Sequence, residues 1–403
     1  RDLHYPLRRQ RQMCIRDSFY FNLSVPAFLK IIPGTLFLLF FPGFFLVNLM
    51  KIKLENIFEI FTLSFVSSFI LFSIFSFVFF IFNINYTAAI LFLLVFNQIV
   101  FILYKMKSIP PQIKFKIDEN KVFFYTFLGL FFFFWILIII FKGVLTMDGL
   151  KYLAFIGKMF YSGNAANLGG FYITNTIDSV NGYNSWLLLI TLLSKLIKTE
   201  YISVYLFIPV FIMPVTVFSL FYMVEKISNN TQAAFLSAIV FLLFHGLNEG
   251  LWIWRTSSYL MIISNFILIP TLIGAIFGLK EEIKYKPLYC GLILFSIATV
   301  HLLAFLNTVI ILFGILISFY FLEDEKKRLN IFKFLFFGTL FLLPYLFLRF
   351  NNTTVESELL NIKANVIEIF SNTFIVDPFK LFVPHYHVKP CFTLRLFYLI
   401  SIY

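Results

Sequence analysis

Long apolar runs limit what this chain can fold into. A helix needs about 20 apolar residues to cross the roughly 30 Å hydrocarbon core of a bilayer. Only 13% of the 403 residues are charged, whereas soluble domains carry roughly 25%. The apolar runs are Ile31–Met50, Ile57–Phe82, Tyr86–Tyr104, Val122–Phe141, Tyr183–Ile197, Tyr201–Val224, Gln232–Phe244, Ser257–Leu279, Pro287–Leu322 (long enough for a helical hairpin) and Ile331–Phe350. The sequence predicts an all-α polytopic transmembrane helix bundle of about 10 spans.

Charge and cysteine content exclude other classes of protein. The net charge of +12 does not indicate a nucleic-acid partner, because the lysines fall in short loops between apolar runs, as in cytoplasmic loops of membrane proteins. Three cysteines, Cys14, Cys290 and Cys391, are scattered without metal-ligand spacing. This pattern predicts neither a disulfide framework nor a zinc site.

The two ends of the chain are expected to be incomplete or foreign. Residues 1–18 are basic and non-periodic and contain Met-Cys-Ile-Arg-Asp-Ser, which resembles translated adapter sequence, so they are predicted to be non-native. The last residue falls inside an apolar run, so the chain is expected to be a fragment. We predict N-terminal transmembrane helices over 19–121, a transmembrane core over 122–350 with a loop at 143–182, and a further loop with the start of a helix over 351–403.

The lysine-rich loops predict how the chain is oriented across the membrane. The loops at 105–121, 280–286 and 326–333 are rich in lysine and are placed in the cytoplasm. The loop at 143–182 is then extracytoplasmic, and an odd number of crossings must separate it from residue 280. Four apolar runs lie between, so one of them does not span. Tyr183–Ile197 is short and opens with Tyr183 and Trp186, which suit an interface, so this run is predicted to lie on the membrane.

The choice of the run that does not span decides which residues lie together at the outer face of the membrane. The turn Glu225–Asn230 becomes cytoplasmic, whereas Asp148, Arg255 and the hairpin turn near His301 all become extracytoplasmic. The loop 351–390 also falls outside. If Gln232–Phe244 is the run that does not span, this clustering fails.

The polar stretch that follows Val122–Phe141 carries the motif with chemical meaning. Thr146-Met-Asp-Gly-Leu-Lys-Tyr152 opens about forty residues rich in Gly, Asn, Thr and Ser, and a loop of this length has a function more often than not. Asp148 a few positions beyond a membrane helix, Tyr152 four residues on, and a juxtamembrane helix Leu150–Tyr161 resemble the GT-C glycosyltransferases. About four helices precede the motif here, whereas family members usually place it after their first helix.

The resemblance implies a function and a set of partners. GT-C enzymes, such as protein O-mannosyltransferases and the lipid A aminoarabinose transferase, take sugar from a polyprenyl-phosphate carrier on the outer face of the membrane. The expected partners are that donor, membrane lipids and an extracytoplasmic acceptor, in a prokaryotic cell membrane. In the family the acidic residue acts as a base or as a metal ligand. Asp148 is therefore the expected catalytic residue, and a divalent cation, Mg²⁺ or Mn²⁺, is expected only under the second role.

Each candidate residue also has an explanation in which it only supports the structure. Asp148 itself could merely cap its helix, and Tyr152 could position the sugar or belong to an interfacial aromatic belt. Arg255 could hold the carrier phosphate or snorkel. His301 could contact phosphate or bond a neighbouring helix. Further candidates are Arg349 for phosphate or membrane anchoring and, as second acidic residues, Glu249 and Asp178.

Two other functions remain open at this point. A polysaccharide polymerase or ligase that uses polyprenyl-linked sugars would depend on arginine and histidine at the outer face more than on Asp148. A non-enzymatic transporter or flippase would show charged or broken-helix sites near the bilayer midplane and internal repeats. No convincing repeat is present in the sequence.

Overall fold

The computed structural model of the chain describes residues 25–50, 52, 54, 56–107, 121–143, 147–163, 183–247, 252–256, 259–279, 283, 285–321 and 325–351. Over these residues the chain is helical and contains no strand. The helices are α1 Val25–Leu39, α2 Phe41–Leu49, α3 Ile57–Ile81, α4 Tyr86–Lys107, α5 Lys121–Phe141, α6 Met147–Ser162, α7 Ser185–Leu196, α8 Tyr201–Phe207, α9 Pro209–Ser228, α10 Thr231–Leu247, α11 Trp252–Arg255, α12 Leu260–Ile263, a π-helical segment Ser264–Leu268, α13 Ile269–Gly278, α14 Lys286–Val300, α15 Leu302–Phe321 and α16 Glu325–Asn351.

The chain is a multi-pass membrane protein. Within the described residues, 8 helical stretches are long and apolar enough to cross a bilayer. Three of them consist of consecutive helices: α1 with α2, α8 with α9, and α12 with α13 through the π-helical segment. Three shorter apolar helices, α7, α10 and α14, complete the bundle. The predicted helical bundle is confirmed.

Aromatic packing joins the early and late helices in one core. The ring of Phe58 on α3 lies 4.2 Å from that of Phe221 on α9 and 5.9 Å from that of Phe235 on α10. Phe127 on α5 also packs edge-on against Phe58, with centroids 5.7 Å apart. Edge and tilted geometries of this kind add to the burial of each ring. Gly43 on α2 lies so close to α3 that a Cβ atom there would be 1.9 Å from the carbonyl oxygen of Ser64.

The bundle has two ends, which we name after the limits of α5 as the Lys121 end and the Lys142 end. At the Lys121 end, Lys226 near the end of α9 forms an ion pair with Glu59 in the first turn of α3. Gly278 at the end of α13 packs against the side chain of Lys226. Lys286 at the start of α14 donates hydrogen bonds to the carbonyls of Ile276 and Leu279 at 2.8 and 2.6 Å, and so caps α13.

Helix α7 is buried within the bundle, which corrects the prediction that Tyr183–Ile197 lies on the membrane. Its residues Ser185–Ser194 are all buried, and the Trp186 ring packs 6.0 Å from Phe69 of α3. Most of its side chains are apolar and it is covered along nearly its whole length, so its place is inside the protein rather than at an interface. Its hydroxyl groups are satisfied internally, for example Thr191 to the Leu187 carbonyl at 2.9 Å. With 12 residues, or about 18 Å, α7 is too short to span.

Helix α10 runs along the bundle between its two ends. Phe235, near the start of α10, packs against Phe124 in the first turn of α5. Phe241, further along α10, packs 5.3 Å from Trp254, beside Arg255 at the Lys142 end. Helix α10 therefore connects the two ends of the bundle, and α7 is the apolar run that does not.

Helices α14 and α15 form the predicted hairpin. His301 is the one residue between them and takes an extended conformation with φ −152° and ψ 104°. Phe319, near the end of α15, lines the same cleft as Lys286 at the start of α14, so the helices are antiparallel. Helix α16 then runs back along α14, where the backbone of Gly291 meets that of Phe334 and Gly338. His301 therefore lies at the Lys142 end.

Candidate functional site

Asp148 is the second residue of α6, at the Lys142 end. Its backbone is described, but its side chain lies outside the described residues. The next residue, Gly149, is buried against Tyr259, and a Cβ atom at position 149 would lie 2.5 Å from the Tyr259 hydroxyl oxygen. Any larger residue at position 149 would require the Tyr259 ring to shift. The first turn of α6, with Asp148 in it, is thus held against the segment that precedes α12.

Tyr152 belongs to the same contact. Its ring lies 5.6 Å from that of Tyr259 at an interplanar angle of 81°, which is the edge-to-face geometry that aromatic pairs prefer. Tyr152 is half-buried. The sequence predicted Tyr152 as a substrate-contacting residue, and the structure shows that part of its ring packs against Tyr259.

Arg255 reaches the end of α5. Its Nε donates a hydrogen bond to the carbonyl oxygen of Lys142 at 3.2 Å. Lys142 has a left-handed backbone with φ 56° and turns the chain out of α5. Trp254, the neighbour of Arg255, is fully buried and anchors the four-residue helix α11. Among the described residues, no hydrogen-bond partner is seen for the two terminal nitrogens of Arg255.

These contacts bring four segments together. Gly143 donates a hydrogen bond to the Leu206 carbonyl at 2.8 Å, so the end of α5 also touches α8. The start of α6, the Arg255 guanidinium, Tyr259 and the end of α5 form what we call the α6 site. A helix N-terminus and a guanidinium both favour an anion, while a carboxylate in the same turn can accept a proton. The arrangement suits a phosphate beside a base.

His301 lies at the same end of the bundle but serves two helices. Its backbone N–H donates to the Ile297 carbonyl at 2.8 Å, and its Nδ1 accepts from the Ala304 N–H at 3.1 Å. It therefore ends α14 and caps α15. Next to it, Asn184 donates to the Val300 carbonyl at 2.6 Å, which ties α7 to the end of α14. The structure records contacts of His301 within the fold, and its contact with phosphate stays a prediction.

The other predicted residues lie partly outside the described chain. Asp178 and Glu249 fall outside the described residues altogether. Arg349 is part of α16, but its side chain is not among those described. Over the part of the chain that is described, no group of three or more histidine, cysteine, aspartate or glutamate side chains could hold a metal ion. A metal at Asp148 therefore stays a prediction.

Sequence reasoning missed two features that the structure brings out. Tyr259 follows a stretch of serines without a motif, and only the three-dimensional contact with Gly149 identifies it. Glu59 is 2% exposed and pairs with Lys226, while Asn56 donates to Glu225 at 2.8 Å. A carboxylate inside the apolar run that begins at Ile57 was a usable signal, because ionisable residues in membrane segments are rare and seldom without a role.

Comparison with known proteins adds no further identification. No protein-family model, no curated protein and no solved structure matches the chain. The case for a function therefore depends on the chemistry of the α6 site and on the resemblance of its motif to the GT-C glycosyltransferases.

Proposed function

We propose that the chain is an integral membrane glycosyltransferase that moves a sugar from a polyprenyl-phosphate carrier to an acceptor outside the cytoplasm. The observation that carries the proposal is the packing of the first turn of α6 against Tyr259, four residues after Arg255, whose guanidinium bonds the end of α5. An acid, a guanidinium and a helix N-terminus at the end of a membrane bundle are what a reaction on a lipid-linked phosphate needs.

The proposed reaction is an inverting transfer. A hydroxyl oxygen of the acceptor attacks the anomeric carbon, and Asp148 takes the hydroxyl proton. The bond between that carbon and the carrier phosphate breaks, and the phosphate leaves with the electron pair. Arg255 and the N–H groups at the start of α6 stabilise the charge on the leaving phosphate. Removing one such donor typically lowers a rate by about 10²–10³.

The test uses the full chain in lipid nanodiscs with a panel of polyprenyl-phosphate sugars. Release of polyprenyl phosphate, measured by mass spectrometry, reports transfer to any acceptor supplied. Asp148→Asn is expected to lower the release by about 10²–10⁴, the range for loss of a general base, while the carrier still binds. Glu200→Gln is the matched control, because Glu200 is an exposed acid just before α8, and it is expected to leave the rate within about twofold.

Other outcomes separate the alternative functions. Release that survives Asp148→Asn but not Arg255→Gln would support a polymerase or ligase instead. No release with any donor, together with movement of the lipid across the bilayer, would support a flippase. The π-helical segment Ser264–Leu268 does not favour a flippase, because the carbonyl of Phe266 inside it accepts a bond from Ser219 at 2.6 Å. That bond gives the irregular turn a packing role.

A further inference from the structure

A second feature at the Lys142 end lies away from the α6 site, at the other end of α6. Three aromatic rings meet there: Phe160 and Tyr161 of α6 lie 5.4 and 6.1 Å from Tyr201 of α8. Tyr161 is 73% exposed. An exposed tyrosine beside half-buried rings is typical of the level of the lipid headgroups.

Lysines surround this cluster. The Nζ of Lys195, on the last turn of α7, lies 4.0 Å from the centroid of the Phe160 ring, where the ring face attracts a cation. Lys198 is exposed and follows in a left-handed turn with φ 52°. Lys30 of α1 is exposed and lies one helical turn before Gly34, where a Cβ atom would be 2.5 Å from Ile197. Glu200 is the acidic neighbour in this turn, so three positive charges face one negative charge.

An apolar groove lies on α1 and α7, the helices that carry Lys30 and Lys195. It is a shallow depression between α1, α4 and α7, lined by Phe37, Leu38, Ile90, Leu93, Leu94, Leu192 and Leu196. Leu196 is the residue after Lys195. A site with cations at one end and an apolar groove next to them is complementary to a lipid that has an anionic headgroup.

We propose that this groove binds one anionic phospholipid of the bilayer, with its phosphate between Lys30, Lys195 and Lys198 and an acyl chain along Leu94 and Leu196. Charge selects the lipid, because apolar contact alone gains little over contact with other lipid tails. The site does not depend on the proposed glycosyltransferase reaction. The bound lipid would contact α1, α4 and α7, and α7 in turn packs against α6.

The experiment compares lipid retention by native mass spectrometry and melting in nanodiscs of phosphatidylcholine with and without phosphatidylglycerol. The chain is expected to retain one phosphatidylglycerol and to melt higher in its presence. The triple variant K30Q/K195Q/K198Q is expected to bind that lipid about ten to a hundred times more weakly, because one lysine near an anionic surface contributes about fivefold. The matched control K107Q/K121Q/K333Q removes three exposed lysines elsewhere and is expected to bind it normally.

A second variant tests the groove without changing charge. Leu94→Trp fills the groove from its half-buried rim, and it is expected to lose the retained lipid while the lysines remain. Equal loss in the triple variant and its control would overturn the proposal, since binding would then follow net charge only. Retention of phosphatidylcholine as readily as phosphatidylglycerol would overturn it too. Displacement of phosphatidylglycerol by an equimolar polyprenyl phosphate would show a carrier site in its place.

Discussion

The contact between Gly149 and Tyr259 offers the sharpest test of the α6 site. In Gly149→Ala the new methyl would lie 2.5 Å from the Tyr259 hydroxyl oxygen and 3.1 and 3.2 Å from ring carbons. Overpacking of this kind costs about 1–3 kcal/mol, partly offset by the roughly 0.5–1 kcal/mol that alanine gains over glycine in a helix. We expect a modest fall in melting temperature and a larger fall in activity, because the first turn of α6, which carries Asp148, is displaced from its place against Tyr259.

The second step of the test removes the Tyr259 hydroxyl that the new methyl group meets. Tyr259→Phe deletes the hydroxyl, so the nearest contacts become the ring carbons at 3.1 and 3.2 Å, which need a shift of a few tenths of an ångström. The double variant G149A/Y259F is expected to recover most of the lost stability and activity, with a coupling free energy of about 1–2 kcal/mol, within the range for residues in contact. Polyprenyl-phosphate release and thermal melts of the two single variants and the double variant measure this.

A matched control lies two helical turns further along α6. A Cβ atom at Gly157 would lie 2.7 Å from the Tyr201 hydroxyl oxygen, so Gly157→Ala creates the same kind of clash away from the site. It is expected to lower the melting temperature similarly with a smaller effect on activity. Equal activity losses at 149 and 157, or no rescue by Tyr259→Phe, would refute the idea that this contact positions the site.

Two further predictions concern the ends of the bundle. Glu59→Gln leaves Lys226 without its buried carboxylate and is expected to cost about 3 kcal/mol of unfolding free energy, whereas adding Lys226→Met is expected to recover part of that loss. Melts of the single and double variants check this, and strictly additive losses would contradict it. His301→Ala removes the cap of α15 and is expected to cost about 0.5–2 kcal/mol. His301→Asn, which can still cap, is expected to cost less in the same melts, and equal losses would argue against the cap.

Sequence periodicity and charge predicted the helices and turns that are determined by residues close together in the sequence. The hairpin broken at His301 and the juxtamembrane helix are examples, since a bilayer fixes helix length and a polar residue marks the turn. The juxtamembrane helix was placed at Leu150–Tyr161 and extends over Met147–Ser162. Bilayer thickness could also show that Tyr183–Ile197 does not span. It could not show where that helix lies, because burial depends on the neighbours that surround it.

The candidate site was predictable only in part, for the same reason. Asp148 and Arg255 stand 107 positions apart in the sequence, and the parity of crossings predicted that both lie at one end of the bundle. The surroundings of each follow from other contacts: Gly149, next to Asp148, packs against Tyr259, and Arg255 bonds the Lys142 carbonyl. These are contacts between backbone and distant side chains, which carry no periodic signature. The only sequence signal for Tyr259 was Gly149, the glycine against which its ring packs.

The parity argument also leads to a direct test of sidedness. Helix α9 ends at Ser228, and α10 returns from there to the Lys142 end. Single cysteines at Asp148, Ser228 and Arg255, in a background without the native cysteines, are therefore expected to react with an impermeant reagent on two different sides. Positions 148 and 255 should label from the outside, and 228 only after the membrane is opened. Labelling of 228 and 255 from the same side would mean that α10 does not cross. Arg255 would then be separated from Asp148, and the proposed reaction would lose its phosphate-binding group.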